Sequence, residues 1–295
     1  MSSAVNTIVG KTDKGAEVIV GSDLSDYIRP LGGSDFIDGK KGFDIVYVFW
    51  PASKFDMVTV QGTTYLDAVS GASKSDKLVL RNVEAIEFSD KVVSLEIADE
   101  YVSTASKDNF DGGPGRDTVV YSSKLADYVV KPYGSGIEVA SATNSEGADW
   151  LLSVERLQFK DKSLAFDLDG HAGTAAKTLG LVFGADSVGL PNYVGICLDL
   201  LDKQNYSTQQ LMQAALGVRL GEDASDPGKV VDFLFIQLTG SPPSVKDKSS
   251  FVDLIMNKTY STESLAVMAS ELSFNPIAAS LVGLATSGLP YVLPS

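Results

Sequence analysis

Apolar residues are distributed in two ways along this chain. Up to residue 170 they form short β-branched and aromatic runs, as in Asp44–Phe49 and Asp117–Tyr121, divided by Gly, Asp and Ser. Such runs, bounded by turn-forming residues, predict short strands with tight turns between them. Beyond residue 170 the apolar positions recur at helical spacing over longer stretches, among them Tyr193 to Leu201 and Phe251 to Met256. This half predicts about seven helices. Asp226 before Pro227 is a helix start, and Ser207 with Gln210 fits a reciprocal cap. Asp169 is expected to cap a helix beginning near Ala172. The pattern changes at Asp167–Gly170.

The strand-rich half repeats in blocks of nine. Gly21 to Arg29 reads GSDLSDYIR, Pro30 to Asp38 reads PLGGSDFID, and Gly39 to Tyr47 reads GKKGFDIVY. The sixth place holds Asp26, Asp35 and Asp44; the eighth is aliphatic. A fuller copy runs from Gly112 to Val120, GGPGRDTVV, with Asp117 sixth, preceded by a weaker block with Asp108 sixth and Phe110 eighth. The blocks sit inside a larger duplication. Asp35, Asp38, Gly39, Gly42, Asp44 and Val46 recur as Asp108, Asp111, Gly112, Gly115, Asp117 and Val119, an offset of 73 (108 − 35). Asn82–Asp90 answers Ser153–Asp161 at 71 (154 − 83). The helical half is also duplicated, Tyr206–Leu211 matching Tyr260–Leu265 at 54 (260 − 206). The expected organisation is a short N-terminal arm (1–18), two β modules (19–98 and 99–166) and a helical domain with a C-terminal tail (167–295).

The nine-residue block has a mechanical logic. Glycines let the backbone turn tightly and point carbonyls inward, and the sixth residue adds a carboxylate. Stacked turns then offer cavities lined only by oxygen, which suit calcium with its 6–8 flexible oxygen ligands. Asp and Gly also cluster in tight turns that hold no metal. The nine-residue register and its second copy favour calcium. The candidate metal-binding positions are Gly21, Asp23, Asp26, Gly33, Asp35, Gly39, Gly42 and Asp44 in the first module, and Asp108, Gly113, Gly115 and Asp117 in the second.

These blocks resemble the repeat-in-toxin (hemolysin-type) calcium-binding family of secreted bacterial proteins. The match is complete at Gly112–Val120 and partial elsewhere, because Ser22, Leu31 and Lys40 replace glycine at second places. The resemblance implies a parallel β-roll in which blocks two apart share a Ca2+ ion. It also implies export by a type I system guided by an uncleaved C-terminal signal. Asn82–Asp90 and Ser153–Asp161 look like segments that commonly follow such repeats. Asp167–Gly173 and Gly189–Tyr193 resemble a helical domain of unknown function often attached to them. The fold class expected is therefore α+β multidomain: N-terminal β-roll or β-sheet modules with calcium-binding nonapeptide turns, then an all-α domain.

Composition narrows the chemistry. The formal net charge of −14 disfavours nucleic acid and anionic membranes and suits cation binding. One cysteine, Cys197, precludes an internal disulfide, and one histidine, His171, removes two-histidine zinc sites and most imidazole acid–base schemes. No zinc-protease signature, phosphate-binding loop or serine-nucleophile elbow is present. Asp167, Asp169 and His171 could hold a metal, but a capping role is simpler. Cys197 reads as a buried thiol. Glu84 and Glu155 stand at equivalent places in a duplicated module and read as structural rather than as paired catalytic acids. Met1–Thr7 lacks a basic region followed by an apolar run, so no cleavable leader is expected, and no stretch reads as a transmembrane helix. The apolar tail 281–295 fits an export signal. Together these features lead us to expect a non-enzymatic, secreted, calcium-binding surface protein that self-assembles as a surface layer, filament or biofilm matrix. The alternatives are a calcium-dependent lectin or adhesin bound to surface polysaccharide, or an accessory module of a secreted enzyme.

Overall fold

The computed structural model describes residues 6–11, 15–60, 62–69, 77–95, 98–134, 136–143, 147–272 and 283–294. The chain forms an α+β structure of two compact units, Met1–Gln158 and Phe159–Ser295. Parts of the expected N-terminal arm (1–5 and 12–14) and of the expected tail (281, 282 and 295) lie outside the described residues.

The first unit is built by alternation. Strands β1 (Asn6–Val9), β3 (Asp26–Arg29), β5 (Ile45–Val48) and β9 (Ala85–Phe88) lie parallel in one sheet. Strands β2 (Val18–Val20), β4 (Ser34–Asp38) and β8 (Lys77–Arg81) lie parallel in another. The chain thus visits the two sheets in turn. Ile28 pairs with Val46, and Ile19 with Ile37, each 18 residues apart (46 − 28 and 37 − 19). A nine-residue block is therefore half a coil: one strand and the turn that carries the chain to the opposite sheet. This explains the two fixed places in the block. Alternation puts the sixth and eighth side chains on the same, inward face. Ile28, Ile37, Val46 and Val119 are all fully buried.

An antiparallel hairpin, β6 (Phe55–Val60) and β7 (Thr63–Ala68), leaves the coil between β5 and β8 and extends the second sheet. Strand β10 (Val92–Ser94) closes the first sheet antiparallel to β9. The second module repeats the plan. Strands β11 (Glu100–Val102), β13 (Thr118–Val120) and β17 (Arg156–Gln158) run parallel. Strand β12 (Asn109–Asp111) pairs parallel with β16 (Ala148–Leu152), which continues into the hairpin β14 (Tyr128–Tyr133) and β15 (Gly136–Ser141). Strand β13 follows β5 at the same 73-residue offset (118 − 45) as the sequence repeat, and β11 follows β3 at 74 (100 − 26).

The second unit packs α1 (His171–Phe183), α2 (Pro191–Asp202), α3 (Thr208–Leu220), α4 (Pro227–Thr239), α5 (Val245–Met256), α6 (Thr262–Ser270) and α7 (Leu284–Ser287) with a strand pair, β18 (Ser163–Ala165) and β19 (Leu289–Tyr291). Two apolar cores hold it, one around Leu179, Leu198 and Leu211, the other around Val182, Met212 and Val231. Asp226 accepts the Gly228 and Lys229 backbone N–H groups, and both Ser207–Gln210 and Ser261–Ser264 form reciprocal caps. One expectation is corrected. Asp169 does not cap α1: the cap position is Gly170, and Asp167 Oδ2 accepts the Ala172 N–H at 3.2 Å. The chain doubles back at Asp167–Gly170, so the earlier aspartate faces the first helical amides. Among the described residues no helix is long and apolar enough to cross a membrane.

Candidate metal centre

In the blocks that begin at Pro30, Gly39 and Gly112 the turns owe their shape to the second and fourth places. Leu31, Lys40 and Gly113 have φ of 67°, 80° and 72°, and Gly33, Gly42 and Gly115 have φ of 123°, 113° and 151°. Glycine adopts such angles freely, whereas Leu31 and Lys40 hold the left-handed conformation at about 1–2 kcal/mol each. At Leu31 and Lys40 the departure from the ideal repeat is thus strained rather than rerouted, whereas Ser22 and Leu24 of the first block have no positive φ. Asn82 and Ser153, with φ of 50° and 49°, make the same bend where each coil restarts after its hairpin.

The sixth-place carboxylates turn into the coil. Asp26, Asp35, Asp44 and Asp117 are buried. Each of the last three uses one oxygen to accept the backbone N–H of the residue one coil earlier: Asp44 from Asp26 at 2.7 Å, Asp117 from Asp99 at 2.7 Å, Asp35 from Glu17 at 2.9 Å. The series continues with glutamates, Glu84 accepting the Asp44 N–H at 2.5 Å and Glu155 accepting the Asp117 N–H at 2.9 Å. Asp26 ends the first series, its carboxylate taken up by the Ser22 N–H and hydroxyl and by Asn6 Nδ2. The result is a ladder of alternating backbone N–H and carboxylate groups along one side of each module, with the Asp35 bond on the opposite side of the first.

The second oxygens of Asp44 and Asp117 are buried and receive no hydrogen bond. Each sits beside a backbone carbonyl of the following coil. A Cβ at Gly39 would collide with both Asn82 O and Asp44 Oδ2, and one at Gly112 would collide with both Ser153 O and Asp117 Oδ2. Glycine is required there because two oxygens of different coils close over its Cα. A buried carboxylate oxygen with no donor is costly unless a proton or a cation meets it. The donor set is purely oxygen, which fits a hard divalent ion such as calcium. Among the described residues no three acidic, histidine or cysteine side chains converge on one point. Backbone carbonyls and water would therefore complete any such coordination.

Burial dominates the electrostatics. It pushes the carboxyls of Asp44 and Asp117 up to about 8, with Asp26 and Asp99 charges adding for Asp44 and Glu155 and Asp99 charges for Asp117. Burial also raises Glu84 and Asp99 above the usual carboxylate range. Asp44, Asp117 and Glu84 stay protonated at neutral pH unless a cation neutralises them.

The other candidates are placed differently. Asp23 is exposed, on the wall of a cavity of about 290 Å³ with Lys40, Lys41, Asn82, Asp99 and Tyr101. Asp108 is half-buried and serves its own turn, accepting the Thr104 N–H at 2.7 Å; its backbone N–H goes to Asp149 Oδ1. Gly21 lies between Gly39 O and Asp26 Oδ2, and Gly113 packs on Phe43. Asp99, Glu84, Glu155 and Asp149 were absent from the candidates although they belong to the carboxylate ladders. Asp99 had a signal: it stands sixth in the nine residues from Ser94 to Val102, with Tyr101 eighth, and follows Asp26 by 73 (99 − 26). That block has no glycine in its first four places, and its eighth residue is aromatic. Elsewhere, His171 Nδ1 pairs with Asp202 at 2.6 Å, and Cys197 is buried, its thiol pushed up to about 12.

No family model matches the chain, and no curated protein does. Among solved structures the chain is similar to the crystal structure of extracellular lipase LipA from Serratia marcescens, with 12% identity and a TM-score of 0.18. The likeness covers 52% of this chain and 38% of that one. It corrects the expectation of a non-enzyme: the similar structure is an enzyme, and the non-catalytic reading is withdrawn. A likeness this distant assigns no activity.

Proposed function

We propose that this chain is a member of the repeat-in-toxin class whose N-terminal unit is a calcium-stabilised β-roll, and that it acts after export as a self-assembling surface or matrix protein. The observation that carries this reading is the pair of donorless buried oxygens, Asp44 Oδ2 and Asp117 Oδ2, each facing a carbonyl of the next coil across a glycine. Calcium bound there joins successive coils. Extracellular calcium modules work at about 10⁻⁴–10⁻³ M, far above cytosolic calcium, so binding couples folding to export.

Assembly is supported by one open sheet edge. In β6 every residue from Asp56 to Val60 is exposed, including Met57, Val58 and Val60. The corresponding edge strand of the second module, β14, carries Lys131 and Pro132, residues that blunt strand pairing. Calcium would also offset the net charge of −14 that separates copies. Light scattering and electron microscopy of the full chain, in calcium and in chelator, test the reading. Assemblies are expected only with calcium; monomers in both buffers would contradict it.

A further inference from the structure

Every step of the carboxylate ladder places a backbone N–H between one acid and the next, except one. The first module ends its ladder at Glu84 and the second begins its own at Asp99. There the Asp99 carboxylate lies within hydrogen-bonding reach of the Glu84 carboxyl and of the Tyr101 hydroxyl, with no amide between the two acids. Glu84 is fully buried, and Glu84 Oε1 and Asp99 Oδ2 both lack a donor. Lys40 and Lys41 line the cavity that Asp99 opens onto, and Lys40 pairs with Asp38 at 2.8 Å. Two carboxylates in contact cannot both stay ionised without a positive partner. Access exists: Asp99 and Tyr101 line the open cavity of about 290 Å³ shared with Asn82. The duplicated position differs. Asp26, the counterpart of Asp99, has both oxygens taken up by Ser22 and Asn6.

We propose that the joint between the two β modules is a divalent-cation site of its own, held by Glu84 and Asp99 with the Tyr101 hydroxyl beside it. Asp99 stands at the sixth place of a nine-residue block, but its pairing with Glu84 joins the ends of two ladders, which goes beyond the calcium reading of the turns within each module. The cation at this joint bridges the end of one coil to the start of the next, so it couples the modules rather than stiffening either.

The test is a calcium titration of the full chain by calorimetry, comparing the parent with Glu84→Gln and Asp35→Asn. Glutamine at 84 still accepts the Asp44 N–H, and its amide donates to Asp99, so the variant supplies internally what the cation supplies in the parent. Glu84→Gln is expected to bind one ion fewer than the parent and to melt higher than the parent in chelator. Tyr101→Phe is expected to keep the ion count but to lose much of the tyrosine-sensitised emission of bound terbium. An unchanged ion count in Glu84→Gln overturns the joint site, and so does the outcome that the two acids merely share a proton, seen as a parent binding no ion that this variant loses. Asp35 lies in the opposite sheet and reports on the turns. Loss of an ion in Asp35→Asn alone removes the joint and leaves the turns; loss in Glu84→Gln alone does the reverse.

Discussion

At the scale of single residues, the second carboxylate oxygen of Asp44 and of Asp117 decides how the N-terminal unit behaves. In chelator these acids are protonated in the fold up to about pH 8, whereas their ordinary value is 3.8. The folded state therefore holds more protons than the unfolded one between those values, and stability is fully present below 3.8 and lost as pH rises through 8. Urea midpoints in chelator are expected to fall from about pH 5 to about pH 9, and Asp117→Asn is expected to flatten part of that slope. A parent midpoint that rises over this window would contradict the burial argument. Glycine's role is as testable. Gly39→Ala and Gly112→Ala force a methyl against a carbonyl and a carboxylate and are expected to cost well over ~1 kcal/mol, measured by urea unfolding.

At the scale of elements, the repeat was legible in the sequence and the ladder was not. The fixed places six and eight gave an inward carboxylate and an inward aliphatic residue because strands alternate faces, and Ile28, Ile37, Val46 and Val119 are buried accordingly. What periodicity could not show was which backbone N–H each carboxylate would meet, since the partner lies 18 residues away on the neighbouring strand. Glu84 and Glu155, read in the sequence as structural, are the last acceptors of each ladder. Helix caps were readable where the cap adjoins the helix, as at Asp226, and misread at Asp169, where the chain folds back. Asp226→Ala is expected to cost about 1 kcal/mol in thermal unfolding of the helical unit. At the β6 edge, Val58→Lys is expected to suppress calcium-dependent assembly, read by light scattering, without lowering the melting temperature.

At the scale of the whole molecule, the account rests on one dependence: the coiled N-terminal unit needs a cation, and the helical unit does not. The helical unit is held by two apolar cores and side-chain-capped helices, and its histidine and cysteine are already engaged or buried. The coil instead carries acids that it buries and leaves partly unsatisfied. Hydrogen–deuterium exchange of the full chain, in millimolar calcium and in chelator, compares the two halves directly. The expected result is a large gain of protection with calcium across 15–60 and 98–158, centred on the amides of Asp26, Asp44, Asp99 and Asp117, with 171–270 unchanged. Equal exchange of those four amides in both buffers would contradict the account.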